Sequence, residues 1–168
     1  MDETPEELDG LQRLLDASVA GANPHLTGII TPDHRLTAHQ LVGALTGMKV
    51  LVVATVTAKG EPRTSCLDGH FRHGRWLFGT STAAVKARHL LARPAVSATH
   101  ADGERLAVFT HGYAEAHTSG PAFDEHLAYF ADYYRSDPTT WSPDPMVFFT
   151  LRPAWMTAYA ADPAGVAG

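Results

Sequence analysis

The run Val50-Leu51-Val52-Val53-Ala54-Thr55-Val56-Thr57 constrains the fold more than any other stretch of the chain, because six of its eight residues are β-branched. Such side chains are stiff at χ1 and suit a pleated sheet better than a helix. Ala58-Lys59-Gly60-Glu61 then supplies a hairpin turn, and Arg63 to Phe71 reads as a second strand. The next turn, Arg72-His73-Gly74-Arg75, leads into Trp76-Leu77-Phe78-Gly79-Thr80, so three antiparallel strands follow one another as a meander.

Ser81 or Thr82 can cap a helix over 83–91, which Pro94 terminates. Strands resume at 95–101 and 106–116 on either side of Asp102-Gly103-Glu104-Arg105, whose Asp-Gly pair tolerates positive φ. The last extended segment, 146–151 and 155–160, is interrupted by Arg152-Pro153 and suits either a bent final strand or two short ones. Thr4 and Glu7 with Pro5 mark the start of a first helix carrying Leu8, Leu11, Leu14 and Leu15, and Gly21 and Pro24 end it before a loop through Asp33. Thr37 and Gln40 cap a second, over 38–45, closed by Gly47. Phe123, Leu127, Phe130 and Tyr134 recur at helical spacing within 121–134, and a loop with three prolines covers 136–145. No repeat or linker is found, so 1–168 is one domain, with helices in 1–47, the sheet in 48–160 and a frayed tail in 161–168.

With 168 residues, 45% of them apolar and 18% charged, the chain can bury an ordinary core without metal or disulfide staples. Its single cysteine, Cys66, cannot form an internal bridge, which fits a reducing interior such as the cytoplasm. Thirteen basic residues against 18 acidic ones leave a net charge of -5, so nucleic acid is not an expected partner. Met1 to Glu7 lacks the basic-then-apolar order of a secretory signal and Val50 to Val56 is too short to span a bilayer, so a soluble, unprocessed protein without a membrane partner is expected.

The most informative chemistry lies where the third strand passes through Gly79-Thr80-Ser81 into a helix carrying Lys86 and Arg88. A helix entered from a strand aims free amides at one point, and such a point attracts phosphate. Hydroxyls of Thr80, Ser81 and Thr82 add donors, and the Lys86 ammonium sits one turn in. The alternative is that Ser81 merely caps a surface helix and Lys86 is solvated, and spacing alone slightly favours it. The ten histidines are scattered with no i, i+4 pair on a helix, so a zinc site is not expected. His70-x-x-His73 borders a hairpin and is read as shaping a turn or bonding a carbonyl, while His100 and His111 on paired strands could line a pocket, an axial haem ligand among them being the minor alternative. Cys66 has no resolving partner and reads as a small strand residue rather than a nucleophile. Trp141, Trp155, Tyr129, Phe130, Tyr133 and Tyr134 either wall a substrate pocket or pack on the sheet, with packing the reading for Phe130 and Tyr134.

From about Lys49 to Ala160 the order meander, helix, hairpin resembles the pyridoxamine phosphate oxidase-like superfamily of flavin and deazaflavin oxidoreductases. The matching pieces are Gly60-Glu61-Pro62-Arg63, Trp76 to Ser81, Lys86-Ala87-Arg88-His89-Leu90 with Arg93-Pro94-Ala95-Val96, and finally Phe148 to Pro153. The resemblance implies a mainly β, α+β fold: a six-stranded antiparallel split β-barrel of the FMN-binding type with flanking helices. It implies that Lys86, with Thr80, Ser81 and Arg88, holds a cofactor phosphate, and that Arg63-Thr64-Ser65-Cys66 runs along the tricyclic ring. Tyr159, with Trp155 as its rival, falls where the oxidases carry an aromatic residue near that ring.

Members of the family bind cofactor between two subunits, which implies a homodimer. The Lys-x-Arg helix is closest to the actinobacterial branch, where FMN or the deazaflavin coenzyme F-420 is used, and His89 stands where that branch often has Asn. The Arg- and His-containing tail that holds substrate in the true oxidases is not found after Tyr159, so oxidation of vitamin B6 is not expected. Two functions follow from the resemblance: transfer of a hydride between cofactor and a small conjugated organic substrate, or non-catalytic carriage of flavin or haem on the same barrel.

Overall fold

The computed structural model describes residues 3–166. Helix α1 (Pro5–Ala20) opens with the expected capping box, Thr4 accepting from the Glu7 amide while the Glu7 carboxylate accepts from the Thr4 amide. Pro24 does not simply stop that helix. It starts a short one, α2 (Pro24–Ile29), because Asn23 caps it and proline at the first turn costs no intrahelical bond. A 3-10 turn over Pro32–His34 follows, then α3 (Ala38–Ala44), whose Thr37 and Gln40 form the second capping box.

The sheet comprises β1 (Met48–Val56), β2 (Pro62–Arg72), β3 (Arg75–Ser81), β4 (Ala95–Asp102), β5 (Leu106–His117) and β6 (Met146–Ala160). They close into an antiparallel barrel in the order β1-β2-β3-β6-β5-β4. Helix α4 (Val85–Ala92) lies between β3 and β4 in the chain, and α5 (Pro121–Tyr134) between β5 and β6. The fold is therefore the six-stranded split-barrel type, with helices flanking a mainly β core.

Two seams are only partly bonded. β2 and β3 pair from His70 and Leu77 to their turn and then part, while β1 and β4 pair over three residues, Val52 to Ala54 against Ser97 to Thr99. α4 sends Ala87 and Leu90 into the barrel core. Its tie to the sheet is polar: His89 Nδ1 meets the Thr55 hydroxyl at 2.9 Å, and Arg93 Nε donates to the Val56 carbonyl at 2.9 Å.

The final strand is one piece rather than two. Its register against β5 shifts between His111 and Gly112, leaving Ala154 unpaired between Trp155 and Pro153. That bulge absorbs a proline inside a strand, and Gly112 is required there because a Cβ would fall on the Arg152 backbone. The tail is less frayed than its composition suggests, since Gln40 Nε2 donates to the Pro163 carbonyl and Val166 is buried in the main core; residues 167 and 168 lie outside the described residues.

On the outer side of β3 and β6 a second core joins Leu77 and Phe148 to Phe130 of α5. Here the reading of His70 as a turn or carbonyl-bonding residue is corrected. His70 is buried, its Nδ1 at 2.9 Å from the Tyr129 hydroxyl and its Nε2 at 3.0 Å from that of Tyr134. Tyr134 gives its own proton to Asp68, so Nε2 carries the hydrogen of that bond, and in the neutral ring Nδ1 is then the acceptor for Tyr129. Tyr129, Phe130, Tyr133 and Tyr134 all present edges or faces to the imidazole, with centroids 4.7–5.7 Å away. Burial pushes the His70 pKa down to about 4, opposed by Asp68 and helped by Arg72. Burial, then the bond to Asp68, pushes the Tyr134 phenol up.

Candidate cofactor and substrate site

The turn from β3 into α4 does not use the expected cap. Ala84 is the N-cap and has no side chain with which to accept; the Ser81 hydroxyl takes the Ala83 amide instead, and the Ser81 carbonyl takes that of Ala84. The first-turn amides of α4 therefore meet no side-chain acceptor, which leaves them for an external anion. Lys86 is partly buried in this turn, Arg88 is exposed, and neither has a carboxylate partner among the described residues. Thr80 and Ser81 end β3 opposite Val147 and Met146.

Lys86 is followed three residues later by His89, so the two share the helix face tied to Thr55. The Thr55 hydroxyl also donates to the Arg63 carbonyl at 3.4 Å, which links the entry of β2 to the same point. Along β2, Arg63, Thr64, Ser65 and Cys66 pair with Thr55, Ala54, Val53 and Val52. Thr64 and Cys66 are exposed on the outer face, whereas Ser65 is half-buried. Arg63 is exposed and ion-paired with Glu61 at 3.0 Å.

Beside this corner lies a cleft of about 440 Å³, opened where β1 and β4 part and where β6 bulges. Thr55, Val56, Pro62, Ser97, His111 and Tyr113 are among its walls. His111 is exposed, holds the Ser97 hydroxyl at 2.8 Å through Nδ1, and is stacked on Trp155 with centroids 4.8 Å apart at 16°. The expected pairing of His100 with His111 in one pocket does not occur. His100 is buried with Nδ1 on the Val50 carbonyl, because strand alternation sends it inward and His111 outward.

Tyr159 lies four residues beyond Trp155 on β6, about 13 Å at the rise of an extended strand. It contacts the His34 ring at 4.9 Å and bridges to Arg35, and it is not a wall of the cleft. The stripe Tyr129, Phe130, Tyr133 and Tyr134 belongs to the His70 cluster, and Trp141 joins it edge-on to Tyr134 at 5.1 Å. Only Trp155 among the aromatic candidates borders the cleft residues. Ser97 and the bulge at Gly112 carried no motif in the sequence; the register of β4 against β5, set by the Asp102-Gly103 turn, was the signal that pairs Ser97 with His111.

The family model described as pyridoxamine 5'-phosphate oxidase matches residues 37–159. The chain belongs to that family. The match spans all six strands and α4, but not α1 or α2. Among solved structures it is similar to an F420 reductase at 21% identity, covering 68% of this chain and 93% of that one, with a TM-score of 0.54. A conserved hypothetical protein of Mycobacterium tuberculosis is similar at 16% identity, over 80% and 91% of the two chains, with a TM-score of 0.66. The haem storage protein HutZ of Vibrio cholerae is similar at 21%, over 66% and 86%, with a TM-score of 0.58. At these identities the likeness is one of fold. Comparison with curated proteins gave no match. Among the described residues no helix is long and apolar enough to cross a membrane.

A phosphorylated flavin or deazaflavin fits the donor set: unaccepted helix amides, a lysine without a carboxylate, and an adjoining cleft with largely apolar walls.

Proposed function

We propose that this family member is an oxidoreductase that binds FMN or the deazaflavin coenzyme F-420 and passes a hydride to or from a small conjugated organic substrate. The observation that carries the reading is the first turn of α4, which offers amides, the Ser81 and Thr80 hydroxyls and Lys86 to an anion, next to the cleft at Thr55 and Val56. In this reading Lys86 and Arg88 neutralise the phosphate, the strand Arg63 to Cys66 lies along the ring system, and Trp155 or Tyr159 is the aromatic residue near it. When bound, the cofactor supplies the hydride chemistry; the protein orients it, excludes water and bonds its edges.

A second copy of the chain is the proposed partner. Val50 is 56% exposed, Val52 37%, Phe109 38% and Tyr113 47%, on the outer side of β1 and β5, which flank β4. These exposed apolar side chains, interspersed with Thr99, Ser97 and His111, support burial in a homodimer that completes the site.

The test is titration of the purified protein with FMN, riboflavin and F-420, followed by absorbance. Lys86→Ala should weaken FMN by roughly 10- to 150-fold, about 1.5–3 kcal/mol for a charge-assisted contact, while riboflavin, which has no phosphate, changes little. Equal losses for both place Lys86 elsewhere, and binding of neither FMN nor F-420 ends the reading. A second reading, a non-catalytic flavin or haem carrier, is favoured by one observation: the cleft presents an imidazole and no carboxylate. Reduced cofactor that no quinone, enone or tetrapyrrole reoxidises would support the carrier.

A further inference from the structure

We propose that His111 is the proton donor of the cleft, delivering a proton from Nε2 to the acceptor as it takes up the hydride. This rests on the oxidoreductase reading above, with a conjugated carbonyl compound as the acceptor, and adds to it a named acid.

The geometry isolates one nitrogen. Nδ1 is held by the Ser97 hydroxyl at 2.8 Å, so with Nδ1–H donated there, Nε2 is the atom that gains and loses a proton. Nε2 has no protein partner among the described residues. Stacking on Trp155 fixes the plane of the ring, and the neighbouring bulge at Gly112 and Ala154 sets the direction in which the strand presents it. His70 has no such freedom, since both its nitrogens are taken.

Chemistry near neutrality has few other sources here. Of the side chains lining the cleft only His111 and Tyr113 can exchange a proton as acid or base, and a phenol is a far weaker acid than an imidazolium. The charged groups on the surrounding elements are engaged: Arg152 of β6 with Glu115 and over the Tyr113 ring, Arg93 after α4 with the Val56 carbonyl, and Arg63 of β2 with Glu61. Ser97 of β4 and Trp155 of β6 are the cross-strand neighbours, and neither carries charge.

The step balances. The reduced flavin-type donor gives a hydride to the β-carbon of an α,β-unsaturated carbonyl compound, whose C=C π pair moves to form the enolate. The Nε2–H bond breaks and its proton joins the enolate, leaving a saturated carbonyl compound, an oxidised donor and neutral His111, which water reprotonates. Ser97 is a positioning residue in this scheme.

The test uses the full chain, unsubstituted and as His111→Gln, which keeps a hydrogen-bonding side chain but does not titrate near neutrality. FMN and F-420 affinities should agree within about twofold, while single-turnover reduction of 2-cyclohexen-1-one by the loaded, reduced protein should fall about 10²- to 10⁴-fold and lose its dependence on pH between 5 and 8. A second readout needs no cofactor: 4-nitrophenol, an enolate mimic, should ionise at lower pH when bound to the unsubstituted protein than when bound to His111→Gln. Ser97→Ala should lower the rate with little change in KM. Equal rates in the two proteins, or identical nitrophenol titrations, overturn the proposal while leaving cofactor binding intact. Failure of the unsubstituted protein to bind either cofactor overturns the oxidoreductase reading, and the proton-donor role with it.

Discussion

His70 and His111 are both imidazoles set among aromatic rings, yet their surroundings are opposite. His70 is 1% exposed, both nitrogens meet tyrosine hydroxyls, and the ring is walled by four aromatic side chains of α5. His111 is exposed beside a cleft, stacked on one ring and bonded at one nitrogen. The first arrangement pins α5 to the barrel, because a fully bonded, desolvated imidazole gains nothing by moving or by charging. The second keeps a nitrogen in reserve. What separates the structural histidine from the proposed proton donor in this molecule is the number of ring nitrogens that the protein itself satisfies.

The comparison is broken most severely at His70. His70→Ala should cost about 3–5 kcal/mol, since it opens a cavity and removes both hydrogen bonds that tie the ring to Tyr129 and Tyr134, and denaturant unfolding will show it as a lower midpoint. The pH dependence comes next. The unfolded chain protonates this histidine near pH 6.5 and the folded one only near pH 4, so its contribution is complete above 6.5 and is lost as pH falls towards 4. That loss is of the order of 3 kcal/mol at most, and unfolding curves measured across this window, with His70→Gln as the control that lacks the slope, will check it. Tyr134→Phe removes the link from His70 to Asp68 and should cost about 1–2 kcal/mol by the same measurement. Ser97→Ala and His111→Gln should each change stability by less than about 0.5 kcal/mol, because both side chains sit at the surface, and a larger loss at either would erase the distinction.

Much of the fold was legible because its signals are local. The β-branched run of β1, the turns at Gly60 and Gly74, and the capping boxes at Thr4 and Thr37 each report a preference that their own neighbours satisfy. Pro24 misled because a proline that ends one helix is also well placed to begin another, and Asn23 decided which. The strand-to-helix turn bearing Lys86, proposed above to hold a phosphate, was legible as a turn, but its cap was not. Whether Ser81 serves the helix or the loop depends on where the chain turns, and the turn places Ala84 at the cap.

The sequence by itself determined the strands, most of the helices, their order and the family to which the chain belongs, since periodicity, turn chemistry and motif spacing act over a few residues. Only the tertiary structure decided the fates of the histidines. Which face of a strand a side chain takes, and what stands opposite, follow from register and closure between segments far apart in the chain: Ser97 against His111, Trp155 beyond it, and α5 folded back over His70. Those pairings, rather than any preference of histidine, leave one ring nitrogen free at the cleft and none free under the helix.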